Sequence, residues 1–197
     1  DQPFQLEEQK ETTACLTFGK KVRAVEVRIG LSALSSELAS WECARWEKMD
    51  FAELKSQTGN QWEKQLSAID VKGGKKDDKV IFYTSLYRAY LSPADVSSPD
   101  GAYLGTDGKV YISEDFRYYS NWSLWDTFRT KFPLLVLTEP ARMRDMATSL
   151  IHLYATGKKD WSTGFESTPT VRTEHAVILL LDAYRKGITT LDFRKGY

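Results

Sequence analysis

Thr138-Glu139-Pro140-Ala141-Arg142-Met143-Arg144-Asp145-Met146-Ala147-Thr148-Ser149-Leu150-Ile151-His152-Leu153 reads as a helix with a marked start and a single apolar stripe. Proline falls where a first helical residue needs no N–H to donate. Met143, Met146, Leu150 and Leu153 then recur at spacings of three and four, which places them on one face. A helix with one such stripe buries it against another element, so its neighbours decide the architecture.

Those neighbours are mostly helical. Downstream, Glu174 to Lys186 has the helical period, with Val177, Ile178, Leu181 and Tyr184 expected inward and Gly187 as its stop. His152 falls on the expected surface side of the preceding helix. Upstream, Ser123-Leu124-Trp125-Asp126 offers a hydroxyl cap and an acid three positions on, so a helix is expected to resume at Ser123. Asp107-Gly108 between Tyr103-Leu104 and Val110-Tyr111 predicts a short hairpin. A helix is expected over about Asp78 to Leu91, with Val80, Tyr83, Tyr87 and Tyr90 on one face and Pro93 ending it. Before it, Asp50-Phe51-Ala52-Glu53 resembles a capping box, and Phe51, Leu54, Trp62, Leu66 and Ile69 follow at helical spacing up to the Gly73-Gly74 break.

Ahead of Ser35 the period changes. Val25, Val27, Ile29 and Leu31 alternate with Glu26, Arg28 and Gly30, the pattern of a half-buried strand, and Gly19-Lys20 suits a turn back onto Cys15–Phe18. Two strands alone are marginal, so this hairpin needs partners beyond itself. A hairpin, a helical stretch and successive helical hairpins together point to a mainly α chain, a bundle or an α/α toroid.

Composition removes several functions. With 27 acidic and 27 basic residues the chain has no net charge, and a phosphate-backbone binder needs a basic excess or a basic face. A hydrophobic share of 42% is that of a globular protein, and runs such as Val177 to Leu181 are far too short to span a bilayer. Cys15 and Cys43 have no metal-ligand spacing and read as reduced buried thiols, a disulfide being the alternative. The start, Asp1-Gln2-Pro3, is not that of a signal peptide. Phosphate loops, CxxC, HExxH and GxSxG motifs are absent from the sequence.

The densest chemistry is Tyr118-Tyr119-Ser120-Asn121-Trp122-Ser123-Leu124-Trp125-Asp126-Thr127-Phe128-Arg129. On a helix, Asp126 and Arg129 would share a face beside Trp125. A carboxylate, a guanidinium and an indole suit a pyranose, whose hydroxyls take bidentate partners and whose C–H face packs on a ring; the alternative is a local ion pair beside a core tryptophan. Trp161-Ser162-Thr163-Gly164-Phe165-Glu166-Ser167 sets one carboxylate among aromatic and small residues, surroundings that would raise its pKa toward that of a general acid. A solvated loop glutamate is the simpler reading of the same stretch. His175, beside Glu174 at a helix start, is a further site candidate.

Together these stretches resemble glycoside hydrolase family 92. Val27-Arg28-Ile29-Gly30-Leu31-Ser32 is similar to the closing strand of that family's N-terminal β-sandwich domain, and Trp62 to Gly74 to the helix and turn entering its catalytic domain. Ile81-Phe82-Tyr83-Thr84-Ser85-Leu86-Tyr87-Arg88-Ala89, Asp100 to Val110, Ser123 to Arg129, His175-Ala176 and Asp182 to Ile188 continue the likeness in order. The resemblance covers roughly residues 15 to 190. It implies three parts: residues 1–33 ending a β-sandwich domain, 34–74 as a helical linker, and 75–197 as the first part of an α/α toroid catalytic domain. It also implies an exo-acting, calcium-dependent, inverting α-mannosidase acting on α-mannosides, N-glycans or mannan.

Residue by residue, the family's general acid falls on Glu166, with Phe165-Glu166-Ser167 standing where the family has Asn-Glu-Thr, and Glu174 is the rival position. Trp125, Asp126, Arg129 and His175 would hold the terminal mannose. The general base and much of the calcium site are expected from later in the parent protein, and the family favours an extracytoplasmic or secreted location. The competing class is a non-catalytic carbohydrate-binding or interaction module built on the same fold.

Overall fold

The computed structural model describes residues 5–8, 14–156, 175–192 and 194. It is mainly helical with short strands. An antiparallel hairpin, β1 (Gln5–Glu8) and β2 (Ala14–Thr17), pairs Gln5 with Thr17 and Glu8 with Ala14. The strand expected over Val25–Leu31 carries no ladder, and Val27, Ile29 and Leu31 are exposed. Alternation marks a surface that could be half-buried, but a strand forms only where another chain segment meets its N–H and C=O groups. Here the segment is tied down by a side chain instead. Arg28 donates to the carbonyls of Trp46 and Met49, the latter at 2.9 Å, just beyond helix α1 (Ser36–Arg45).

Helix α1 starts at Ser35, whose hydroxyl accepts from the Leu38 N–H at 3.2 Å. Helix α2 (Phe51–Leu66) starts at Asp50, whose carboxylate accepts from the Glu53 N–H at 2.7 Å. Such caps satisfy donors that the first turn leaves open. Gly73 and Gly74 both adopt positive φ and turn the chain into α3 (Lys76–Tyr90). Leu86 and Tyr90 are the buried residues of α3, while Val80 lies exposed and Tyr87 packs edge-on against Trp62 of α2 at 4.5 Å. Of the expected face, Tyr90 is buried and Tyr83 half-buried against the core, while Val80 and Tyr87 are exposed.

After the cis Ser92–Pro93 bond, β3 (Ala94–Asp95) pairs with β6 (Tyr119–Ser120). Between them, β4 (Ala102–Leu104) and β5 (Val110–Ile112) form the expected hairpin around Asp107-Gly108. Asp107 accepts from the Lys109 N–H and from the Tyr111 hydroxyl, and the first of these chiefly holds its carboxyl below the usual carboxylate range. Gly101 has φ +83°, and a Cβ there would lie 2.1 Å from the Ser113 carbonyl oxygen. Only glycine allows that approach.

Helices α4 (Lys131–Thr138), α5 (Pro140–Ala155) and α6 (His175–Arg185) pack on one another. Met143, Met146, Leu150 and Leu153 are all buried, as their spacing predicts. Helix α6 turns its other face inward: Ala176, Leu179, Leu180 and Ala183 are buried, and Val177, Ile178, Leu181 and Tyr184 are exposed. Periodicity cannot choose between two faces that are both apolar, and small alanines let α6 approach closely. His152 is half-buried rather than solvated. Its Nδ1 lies 3.1 Å from the Tyr103 hydroxyl and its ring 4.9 Å from that of Phe116, because the β4–β5 region folds over the end of α5. Cys43 is a free, half-buried thiol.

Arg117 ties this half together. It donates to Asp95 at 2.8 Å and to the carbonyls of Ser97 and Ser98 at 2.7 and 2.8 Å. Ser149, fully buried on α5, accepts from the Tyr119 N–H at 2.9 Å and donates to the Asp145 carbonyl at 2.7 Å. Among the described residues no helix is long and apolar enough to cross a membrane.

Candidate functional site

The stretch from Ser123 to Thr130 does not form the expected helix; it runs as turns into α4. Trp122 and Leu124 are both buried while Ser123 and Trp125 between and after them are exposed. A helix would point residues two apart to nearly opposite sides, so anchoring both in the core holds the chain out of helical geometry. Asn121 at φ 65° redirects the backbone just before this anchor. The turn is closed by the Thr127 hydroxyl, which donates to the Ser123 carbonyl, and by the Arg129 N–H, which donates to the Asp126 carbonyl at 3.3 Å.

This turn displays the sugar-type groups. Asp126 and Arg129 are exposed and paired at 3.2 Å. Trp125 beside them is also exposed, at 46%. The local ion pair foreseen as the plainer alternative is thus present, but as a surface pair it adds little to stability, and both groups stay open to a ligand. Phe128 is turned inward, half-buried, and its ring meets the His175 imidazole edge-on at 4.2 Å. The Arg129 guanidinium lies over the Phe128 ring, 5.1 Å from its centroid.

Phe128 therefore joins two motifs that lie 47 positions apart in the chain: the Trp125–Arg129 turn and the first residue of α6. Sequence reading singled out Trp125, Asp126, Arg129 and His175 and passed over Phe128. Its only sequence signal is its place one residue before the arginine. Glu166 and Glu174, the two candidates for the acid, lie outside the described residues.

Lys131 secures the far end of the turn. Its ammonium donates to the Ser92 carbonyl, and Ser92 in turn donates from its hydroxyl to the Asn121 carbonyl at 2.8 Å. Burial pulls the Lys131 pKa down to about 8. At the β4–β5 hairpin, Tyr103 stacks on Tyr118 at 4.2 Å, and burial pushes both phenols up. Among the described residues no three His, Cys, Asp or Glu side chains gather to hold a metal ion.

The turn thus sets a ring, a carboxylate and a guanidinium beside the start of α6. The sequence model described as the glycosyl hydrolase family 92 catalytic domain matches residues 38–197. The chain belongs to this family of glycoside hydrolases. It is 33% identical to the family 92 glycosyl hydrolase ccman5, with a TM-score of 0.69 over 79% of this chain and 22% of that one. It is 30% identical to the α-mannosidase BT3965 from Bacteroides thetaiotaomicron, TM-score 0.75, over 84% of this chain and 23% of that one. The inverting mannosidase BT2199 from Bacteroides thetaiotaomicron VPI-5482 is 29% identical, TM-score 0.68, over 83% and 23%. BT3965 is also known in complex with mannoimidazole. The chain thus spans under a quarter of the length of these structures. No curated protein matches it.

Proposed function

We propose that this chain is part of an exo-acting, inverting, calcium-dependent α-mannosidase, in which it recognises the terminal mannose and supplies the general acid. In this reading residues 1–33 end a β-sandwich domain, 34–74 link, and 75–197 begin an α/α toroid. The observation that carries it is the Phe128–His175 contact, which sets the Trp125–Arg129 turn against the start of α6. The segment bearing Glu166 and Glu174 connects α5 to that same helix start. Membership of family 92 supports the sugar chemistry, and the mannosidases similar to the chain support mannose.

Each group has a role in this reading. Trp125 packs on the C–H face of the pyranose, and the Asp126–Arg129 pair meets vicinal hydroxyls with one acceptor and one forked donor. His175, held by Phe128, adds a further polar partner. Glu166, or Glu174 as its rival, gives its proton to the glycosidic oxygen as the bond to the anomeric carbon breaks. A water enters from the opposite face, and a base carboxylate from later in the parent protein takes its proton. Calcium, expected from the family, would take its ligands outside the described residues, and no step is assigned to it. An extracytoplasmic or secreted location goes with the same reading.

Release of mannose from α-linked mannobioses by the full-length parent tests this, with calcium or chelator, for the wild type and for Glu166→Gln and Glu174→Gln. Calcium-dependent release lost only in Glu166→Gln supports the assignment. Loss only in Glu174→Gln moves the acid to the rival. Full activity of both variants refutes an acid in this chain.

A further inference from the structure

Ser92, just beyond α3, holds both ends of the loop that displays Trp125, Asp126 and Arg129. Its hydroxyl donates to the Asn121 carbonyl at 2.8 Å, and its own carbonyl accepts from the Lys131 ammonium. These partners lie 29 and 39 positions further along the chain. One residue therefore closes the neck of the stretch from Trp122 to Thr130, in the manner of a compact surface loop whose ends meet. Ser92 is itself fixed, because Tyr90 and Pro93 on either side of it are buried.

The two halves of the loop are held differently. Trp122 and Leu124 are core residues, whereas Trp125, Asp126 and Arg129 lie at the surface, with Thr127 and Phe128 half-buried between them. The exposed half returns to the core at the start of α4, where the Phe132 N–H donates to the Thr127 carbonyl at 3.1 Å and Lys131 reaches Ser92.

The Lys131 contact is made against a penalty. Burial lowers its pKa to about 8, and no carboxylate among the described residues counters the effect. The Phe132 ring lies 5.6 Å from the ammonium. An apolar side chain of similar length would occupy the same space without that desolvation. Perturbed lysines of this kind collect at functional sites, where stability is commonly given up for activity.

We propose that Ser92 and Lys131 are positioning residues for sugar binding: together they close the neck of this loop, so that Trp125, Asp126 and Arg129 are already grouped when a mannoside arrives. The proposal rests on the mannose-recognition reading above. Both residues act through the loop and not by touching the sugar. Opening the neck adds states in which the three groups are apart, and binding must then reorder them. A turn that is grouped in one molecule in ten raises the apparent dissociation constant about tenfold.

The test uses the full-length parent, with mannoimidazole binding followed by calorimetry, mannose release from α-linked mannobioses, and urea denaturation of each variant. Lys131→Met and Ser92→Ala should each weaken mannoimidazole binding about tenfold, with KM rising by more than kcat falls. Lys131→Met should do so with a urea midpoint at pH 7 equal to or above that of the wild type, a combination that damage to the fold does not produce. Ser92→Thr, which keeps the hydroxyl, should recover most of the affinity lost in Ser92→Ala.

Trp125→Ala separates this proposal from the reading beneath it. Unchanged mannoimidazole affinity in Trp125→Ala overturns the sugar-binding role of the turn, and the neck proposal with it. Affinity lost in Trp125→Ala but kept in folded Lys131→Met and Ser92→Ala overturns the neck proposal alone. So does a Lys131→Met variant whose affinity and urea midpoint fall together. Where Ser92→Ala does not fold, Lys131→Met decides between these outcomes.

Discussion

Lys131→Met isolates the energetics of the anchor that holds the Trp125–Arg129 turn. Burial pulls the Lys131 ammonium down to about 8 from an ordinary 10.5, so below pH 8 the folded state carries a charge it disfavours. The interval corresponds to roughly 3 kcal/mol by linkage. Because the side chain is only half-buried and donates to the Ser92 carbonyl, on the order of 1–2 kcal/mol should survive solvent screening. The sign follows from proton counts: between about 8 and 10.5 the unfolded chain holds a proton the folded one has released, so stability rises with pH. The tyrosines act oppositely. Phenols raised in the fold, Tyr103 and Tyr118, keep protons that the unfolded chain loses near pH 10, so stability falls there. Urea denaturation at pH 7.5, 8.5 and 9.5 therefore falls in the informative window. The wild type should gain about 1 kcal/mol across it relative to Lys131→Met. Equal pH slopes for the two proteins would refute the account.

Removing the Ser149 hydroxyl with Ser149→Ala leaves the buried Tyr119 N–H without that acceptor and should lower unfolding free energy by about 1–3 kcal/mol; a change below 0.5 by denaturant titration would contradict this. Gly101→Ala combines a positive φ with a contact on the Ser113 carbonyl, so a loss of roughly 2–4 kcal/mol is expected, read as a lower urea midpoint. In the full-length enzyme, Phe128→Ala should reduce kcat/KM about tenfold or more by releasing His175, with Phe128→Tyr restoring most of it. A loss of the same size in both variants would point away from ring positioning.

Much of the helical frame was legible because it obeys local rules. The Asp50 cap, the Asp107-Gly108 turn and the Met143–Leu153 stripe each need only neighbours in sequence. What escaped depends on distant partners. The alternation from Val25 to Leu31 signals a strand only if a second segment pairs with it, and among the described residues the segment is tied by Arg28 instead. Helix α6 carries apolar residues on two faces, so its inward side was set by α4 and α5 rather than by its own pattern. The Ser123 cap was overridden because Trp122 and Leu124 are both core residues. Among the site candidates, residue types were readable but grouping was not. Nothing local announces that Phe128 would meet His175.

That meeting also orders events in time. Contacts between residues far apart in sequence form after local ones, because a long loop must first be closed. The turn can take shape with α4 alone, yet the imidazole reaches Phe128 only when α6 docks on α4 and α5. A glycan gripping both would bind the docked form and not the undocked one, shifting that equilibrium by mass action. Hydrogen exchange of α6 amides should then slow as sugar is added, making the substrate a participant in completing its own site.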